Sequence, residues 1–476
     1  MTLVNALPTH LRLGSPGAPK PGWIYVLASD GTTPCPLGRA LSRGPGVITT
    51  TDGMNWFAID GTCELLLPTG CNTVSFSQNP FWTCEKHDIE SFPGQLAARF
   101  IPHGSTSKKI DILEIDMGCT GMSPDVACFE GKASGLDLVQ LIHDALEENP
   151  YPSMIEFSGS MVARNRDSCS VQVNSRNQGG HLGVLSLLDC HRPVFPLTLS
   201  DTAFSEWSLS DWWKQCHRKR GLVIWSDTKS RDDPDFHGEA LAGILTKGVD
   251  AFECVDLETE RNGGISLWMD LLSLGLAPPL VGGSGTRNPQ SFPGKTRTMV
   301  FLGNQHWVEA VRAGRSSVTT GPIVDIALNG IPPGGSIKHG PDGVFLTARC
   351  HSAMNALLRR GVFLDMVGAD GFNWNFRWPE SDYLETPVPL PPNCGKQIAV
   401  RLVSSAGKLI MSTSPFTVSD STLDSNDSSR LARVRLLKRL DETSKKITGD
   451  PRHADRREQV VASIMSAIQT ITQRVC

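Results

Sequence analysis

Hydrophobic and polar positions follow three rhythms along the chain. From Trp23 to about residue 107, short runs rich in β-forming side chains, GWIYVLASDG, NWFAIDGTCELLLPTG and TVSFSQNPFW, are divided by Gly, Asp and Pro turns. Runs of this kind bury one face of each strand, and their cadence predicts an N-terminal β-sandwich over residues 22–107. Residues 1–21 carry Pro8, Pro16, Pro19 and Pro21 and read as a flexible lead.

After His103 a polar GSTSKK stretch marks a boundary, and over 108–322 strands alternate with helices. KIDILEIDMG, SMIEFSG, GLVIWSD, DAFECVD, PLVGGSG and TRTMVFLG read as strands, and SVQVNSR and HLGVLSLLD as a strand pair. Helices are predicted through SGLDLVQLIHDALEEN, SLSDWWKQCHRKR, GEALAGILTKG, ISLWMDLLSLG and HWVEAVRAG. Ser134 with Asp137 and Ser208 with Asp211 have the spacing of capping boxes, and Gly221 is placed to end the second helix. Such alternation argues for a parallel sheet or a β/α barrel.

Beyond Pro322 the β rhythm returns in IVDIALNG, GVFLTARC, GVFLDMVGADG and QIAVRLVSS, predicting a second β-sandwich over 323–420. STLDSNDSSR then opens a linker and helical tail over 421–476. In that tail Val460, Ile464, Ile468, Ile471 and Val475 share one helix face, which must be covered. Residues 430–458 hold ten Lys or Arg against five Asp or Glu, which fits a solvated helix face or a partner site. The fold class is therefore α/β plus β.

Composition adds exclusions. A net charge of -4 gives no reason for a nucleic-acid or membrane partner, and a small-molecule substrate fits as well as any. No run approaches the roughly 18–20 apolar residues of a membrane span, so the chain reads as cytoplasmic. The 13 Cys are scattered, with no Cys-x-x-Cys pair, and read as reduced thiols. The oligomeric state stays open.

Sequence-local chemistry is sparse. The twelve His form no His-x-His, His-x-x-x-His or His-Glu-x-x-His pattern, and there is no phosphate-binding glycine loop or nucleophile elbow. Polar residues concentrate in WSDTKSRDD at 225–233, ECVDLETERN at 253–262 and VGGSGTRNPQ at 281–290. Loops after parallel barrel strands converge on one mouth, so these three fit a single pocket, though exposed loops are polar in any case. His181, within the apolar GGHLGVLSLLD, fits a ligand or general base, and equally a core imidazole bonded to a carbonyl. Asp227 after GLVIWS carries the same two readings.

WMDLLSLGLAPPLVGGSG, followed by HWVEAVRAGRSSVTTGPIVDIALNGIPPG, resembles the carbaryl hydrolase-like (CehA/McbA) branch of the polymerase-and-histidinol-phosphatase (PHP) metallohydrolases. The positions carrying the likeness are Ala313, Gly314, Arg315, Thr320, Gly321, Pro322, Asn329 and Gly330. It is strongest over 262–335 and extends over most of 22–475. It implies a PHP-like distorted β/α barrel flanked by two β-sandwich domains with a C-terminal helical tail. In that family, strand ends supply His, Asp and Glu to two or three metals that activate water.

The stretch corresponding to the family's Asp-x-His-x-His, GCTGMSPDVACFEG, has neither His, and Asp125 and Glu130 do not reproduce the spacing. The resemblance implies metal-ligand positions at His181, Glu253 and Asp256. The next strand end has Ser226, Asp227, Thr228 and Lys229, and the closing Ser-Asp-x-His is reduced to Ser284, Gly285, Thr286 and Arg287. So small a donor set implies no tightly bound cofactor.

Three readings follow. The leading one is a PHP-like homologue that has lost most metal ligands and is inactive or altered. The second is an active hydrolase of amide, ester or phosphoester bonds, in which His181, Asp227, Glu253 and Asp256 hold one Zn, Mn or Fe while Lys229 or Arg287 orients substrate. The third is a carbohydrate- or protein-binding scaffold, for which Trp207, Trp212 and Trp213 lie close together.

Overall fold

The computed structural model describes residues 6–15, 18–38, 45–82, 84–92, 97–101, 111–146, 152–160, 162–165, 169–199, 205–226, 237–254, 263–338, 343–351, 361–369, 372–379, 381–419 and 427–473. Within them the chain is mixed α/β and mostly sheet, with seven helices: α1 Pro124–Ala133, α2 Leu209–Arg218, α3 Gly238–Leu245, α4 Gly263–Ser273, α5 Trp307–Arg312, α6 Asp427–Gly449 and α7 Arg457–Gln473. Among the described residues, no helix is long and apolar enough to cross a membrane.

Two N-terminal sheets enclose one core. Ala6–Ser15 pairs with Ala18–Pro19, Thr62–Pro68 and Ala97–Ile101, while a five-stranded antiparallel sheet places Gly22–Leu27 between Asn55–Ile59 and Gly70–Ser77. Leu11, Leu13, Leu65 and Leu67 of the first pack on Ile24, Val26, Val74 and Phe76 of the second. The segment read as a flexible lead is thus largely a strand, because its alternate Leu11 and Leu13 have an apolar layer to enter.

The middle of the chain forms a strongly curled sheet. Ile112–Thr120, Leu138–Asp144 and Cys169–Gln178 are parallel neighbours; Val184–Leu188 and Leu222–Ser226 follow antiparallel, and Ala251–Glu253 and Leu280–Val281 parallel again. The far edge returns to the first strand: the Met117 N–H donates to Gly282 O at 3.2 Å, and Cys119 pairs with Gly285. Helices α2, α3 and α4 cover the outside, and the tail covers them in turn. Leu436, Leu440, Val460, Ile464 and Ile471 enter the same core as Leu241, Trp268 and Leu271. The basic stretch of the tail is partly tied down there, since Arg435 donates to Asp270 at 2.9 Å and Arg456 to Ser205 O at 2.7 Å.

The C-terminal β region is hydrogen-bonded into the curled sheet. Ser316–Thr319 pairs with Arg297–Phe301 on one side and Leu409–Thr413 on the other, and that sheet packs on Ile323–Leu328, Val344–His351 and Tyr383–Val388. Asn373–Arg377, Leu409–Thr413 and Phe416–Val418 are strands that the alternation did not reveal.

Three local expectations are corrected. The helix expected over 134–149 is the strand Leu138–Asp144, whose residues through His143 are all buried; the helix lies just before it, capped by Ser123 with Pro124 in its first turn. SMIEFSG contains a short helical turn, Met154–Glu156, closed by a Ser153–Glu156 capping box. His181 stands in a turn, Gly180–Leu182, ahead of the strand that starts at Val184. The capping box at Ser208 and Asp211 does start α2 as the spacing predicts.

Candidate functional site

The polar interior of the curled sheet is built by one strand above all. In Cys169–Gln178, Gln172, Asn174, Arg176 and Gln178 share a face, while Val171 and Val173 on the opposite face pack near α1. Parallel pairing sets Gln140 beside Gln172 and Asp144 beside Arg176. A register shift in Ile112–Thr120 between Asp116 and Cys119 brings Gly118 to this interior, where a β-carbon would stand 2.7 Å from Glu253 Oε1 and 3.7 Å from an Arg176 guanidinium nitrogen.

Arg176 is the centre of this group. Its guanidinium lies 3.4 Å from Glu253 and 3.7 Å from Asp144, with Nε 3.4 Å from Ser186 Oγ. Ser226 Oγ donates to Ser186 Oγ at 2.7 Å, and Gln178 Nε2 donates to Asp144 at 2.9 Å. Glu253 is 2% exposed and Arg176 14%, so the pair interacts largely out of water.

The anticipated site residues separate. Glu253 is in the interior, as the last residue of its strand. His181 instead packs edge-on against His453, ring centroids 4.7 Å apart, where the tail closes over the sheet. Arg287 is locked elsewhere: it donates to the wholly buried Glu130 at 2.8 and 3.1 Å and to Val47 O at 3.0 Å, and Glu130 also accepts from the Gly46 N–H at 2.7 Å. Arg287 and Glu130 therefore fasten the N-terminal sheets to the curled sheet, and the guanidinium is engaged there and not beside Glu253. Asp227, Lys229 and Asp256 lie outside the described residues.

Ser284 serves the framework. Its N–H donates to Asp116 at 3.1 Å, and Asp116 also accepts from the Gly118 and Gly294 N–H groups; burial raises the Asp116 pKa against those bonds. Trp212 and Trp213 are buried and Trp207 packs on the same core, so these tryptophans do not form an exposed recognition platform.

Arg176 was missed from the sequence, although its signal was present: SVQVNSRNQ places a polar residue at every second position on one strand face. Among the described residues, no three His, Cys, Asp or Glu side chains are grouped to hold a metal ion. No protein-family model, curated protein or solved structure matches the chain.

Proposed function

We propose that the curled sheet is a PHP-like distorted barrel in which an arginine has taken the place of the metal centre, so that the domain is a scaffold without metal-dependent hydrolysis. The observation carrying this reading is the Arg176 guanidinium between Glu253 and Asp144. A cation held on a side chain compensates the two carboxylates that a metal would otherwise use. Counted from Asp116, the imidazole positions of Asp-x-His-x-His fall on Gly118 and Thr120, and Glu253 and Arg176 crowd the space beside Gly118. Among the described residues the donor set does not fit a divalent ion.

Elemental analysis of the purified full chain tests this directly. The expected content is below about one equivalent of Zn, Mn or Fe, because so few donors hold a cation weakly. Two or more equivalents, or ester hydrolysis abolished by a chelator and by His181→Ala, would overturn the reading. Arg176→Ala sharpens it: with their counter-cation removed, Glu253 and Asp144 should bind Mn²⁺ measurably tighter than in the parent chain, read by titration calorimetry. Equal affinity in both proteins would show that the guanidinium does not stand in for a metal.

A further inference from the structure

At the end of the curled sheet opposite Glu253, a cavity of about 690 Å³ opens between the sheet's loops, the C-terminal β region and α7. Its position follows from strand direction. Asp250 immediately precedes Ala251–Glu253, and Pro279 precedes Leu280–Val281, so both lining residues sit where these strands begin. The floor is fixed by a reciprocal pair in which the Ala277 N–H donates to Gln397 Oε1 at 2.8 Å and Gln397 Nε2 donates to Ala277 O at 3.1 Å.

The lining is unbalanced in charge. Lys247, Arg312 and Lys396 face one carboxylate, Asp250. That carboxylate is already engaged by Arg312 Nε at 3.3 Å, His217 Nε2 at 3.0 Å and the Val223 N–H at 2.8 Å. Neither Lys247 nor Lys396 has a side-chain hydrogen bond or ion pair among the described residues. Lys247 follows the Thr246 cap of α3 with a left-handed backbone, φ 61°, at a position where glycine would be unstrained. Beside the cations runs the apolar Leu-Ala-Pro-Pro segment 276–279. Concave, low-dielectric walls concentrate the field of such charges on a ligand.

We propose that this cavity binds a small organic anion with an apolar body, its acid group held between Lys247 and Lys396 and its hydrocarbon against segment 276–279. The probe is octanoate, titrated calorimetrically into the full chain, with octanol and inorganic phosphate as comparisons. Octanoate should bind saturably and at least ~10-fold more tightly than either comparison, because only it uses both the cations and the apolar wall. Lys247→Ala with Lys396→Ala should weaken octanoate by about tenfold or more while leaving the unliganded melting temperature unchanged, since both side chains are exposed. Octanol or phosphate binding as tightly as octanoate, undiminished binding in the double variant, or no saturable binding at millimolar octanoate would each overturn the proposal.

Discussion

Glu130 and Glu239 are both wholly buried carboxylates, yet the chain treats them differently. Glu130 faces a guanidinium: Arg287 reaches it through Nε and a terminal nitrogen, and the same arginine bonds to Val47 O. Glu239, at the start of α3, accepts the Leu209 and Ser210 N–H groups of α2 at 3.2 and 3.3 Å. Burial outweighs those bonds and pushes the Glu239 pKa from 4.5 to about 7. A guanidinium bonded directly to a buried acid makes it a fixed joint between regions, whereas helix-start N–H groups, with the Arg456 charge acting only through space, leave Glu239 able to gain and lose its proton near neutrality.

The largest expected effect comes from breaking the fixed joint. Arg287→Ala leaves Glu130 buried without its cation and should lower unfolding stability by about 3–5 kcal/mol in chemical denaturation. A loss below about 1 kcal/mol would mean that Glu130 is neutral or rehydrated, and the contrast with Glu239 would disappear.

Next comes the pH response of Glu239. Between pH 4.5 and about 7 the folded chain still holds this proton while the unfolded chain has released it. The stability contribution is therefore full below pH 4.5 and lost as pH rises through about 7. The whole span is worth roughly 3 kcal/mol. Glu239→Gln should flatten that decline in denaturation curves taken from pH 5 to 8. An unchanged slope in the variant would assign the titration to another group.

The same contrast explains what was legible in the sequence. Helix α2 could be read because its capping box lies within four consecutive residues, and the tail's covered face because its apolar positions recur every turn. The strand Leu138–Asp144 was misread because both of its faces are covered, which erases the alternation that distinguishes strand from helix. Arg287 looked like a free basic residue at a strand end because its partner Glu130 is 157 positions away. Of the candidate site, Glu253 at a strand end and the polar face that carries Arg176 are both legible, but not that the two meet, since they are 77 positions apart. Pairing across the sheet is decided by register, and no local window contains it.

The smallest expected effect tests whether the Glu239 setting is tuned by the helix start itself. Ser208 caps α2 by accepting the Ser210 N–H at 3.2 Å, and its hydroxyl also holds the Glu239 pKa down against burial. Ser208→Ala should cost about 1 kcal/mol of stability through the lost cap. It should also move the Glu239 titration above 7, because one of the bonds favouring the charged form is gone while burial is unchanged. In denaturation curves, the decline with pH should then extend to more alkaline values in Ser208→Ala than in the parent chain. A shift toward acid would show that losing the cap admits water to Glu239, which would make helix packing, more than the hydroxyl, the control on its proton.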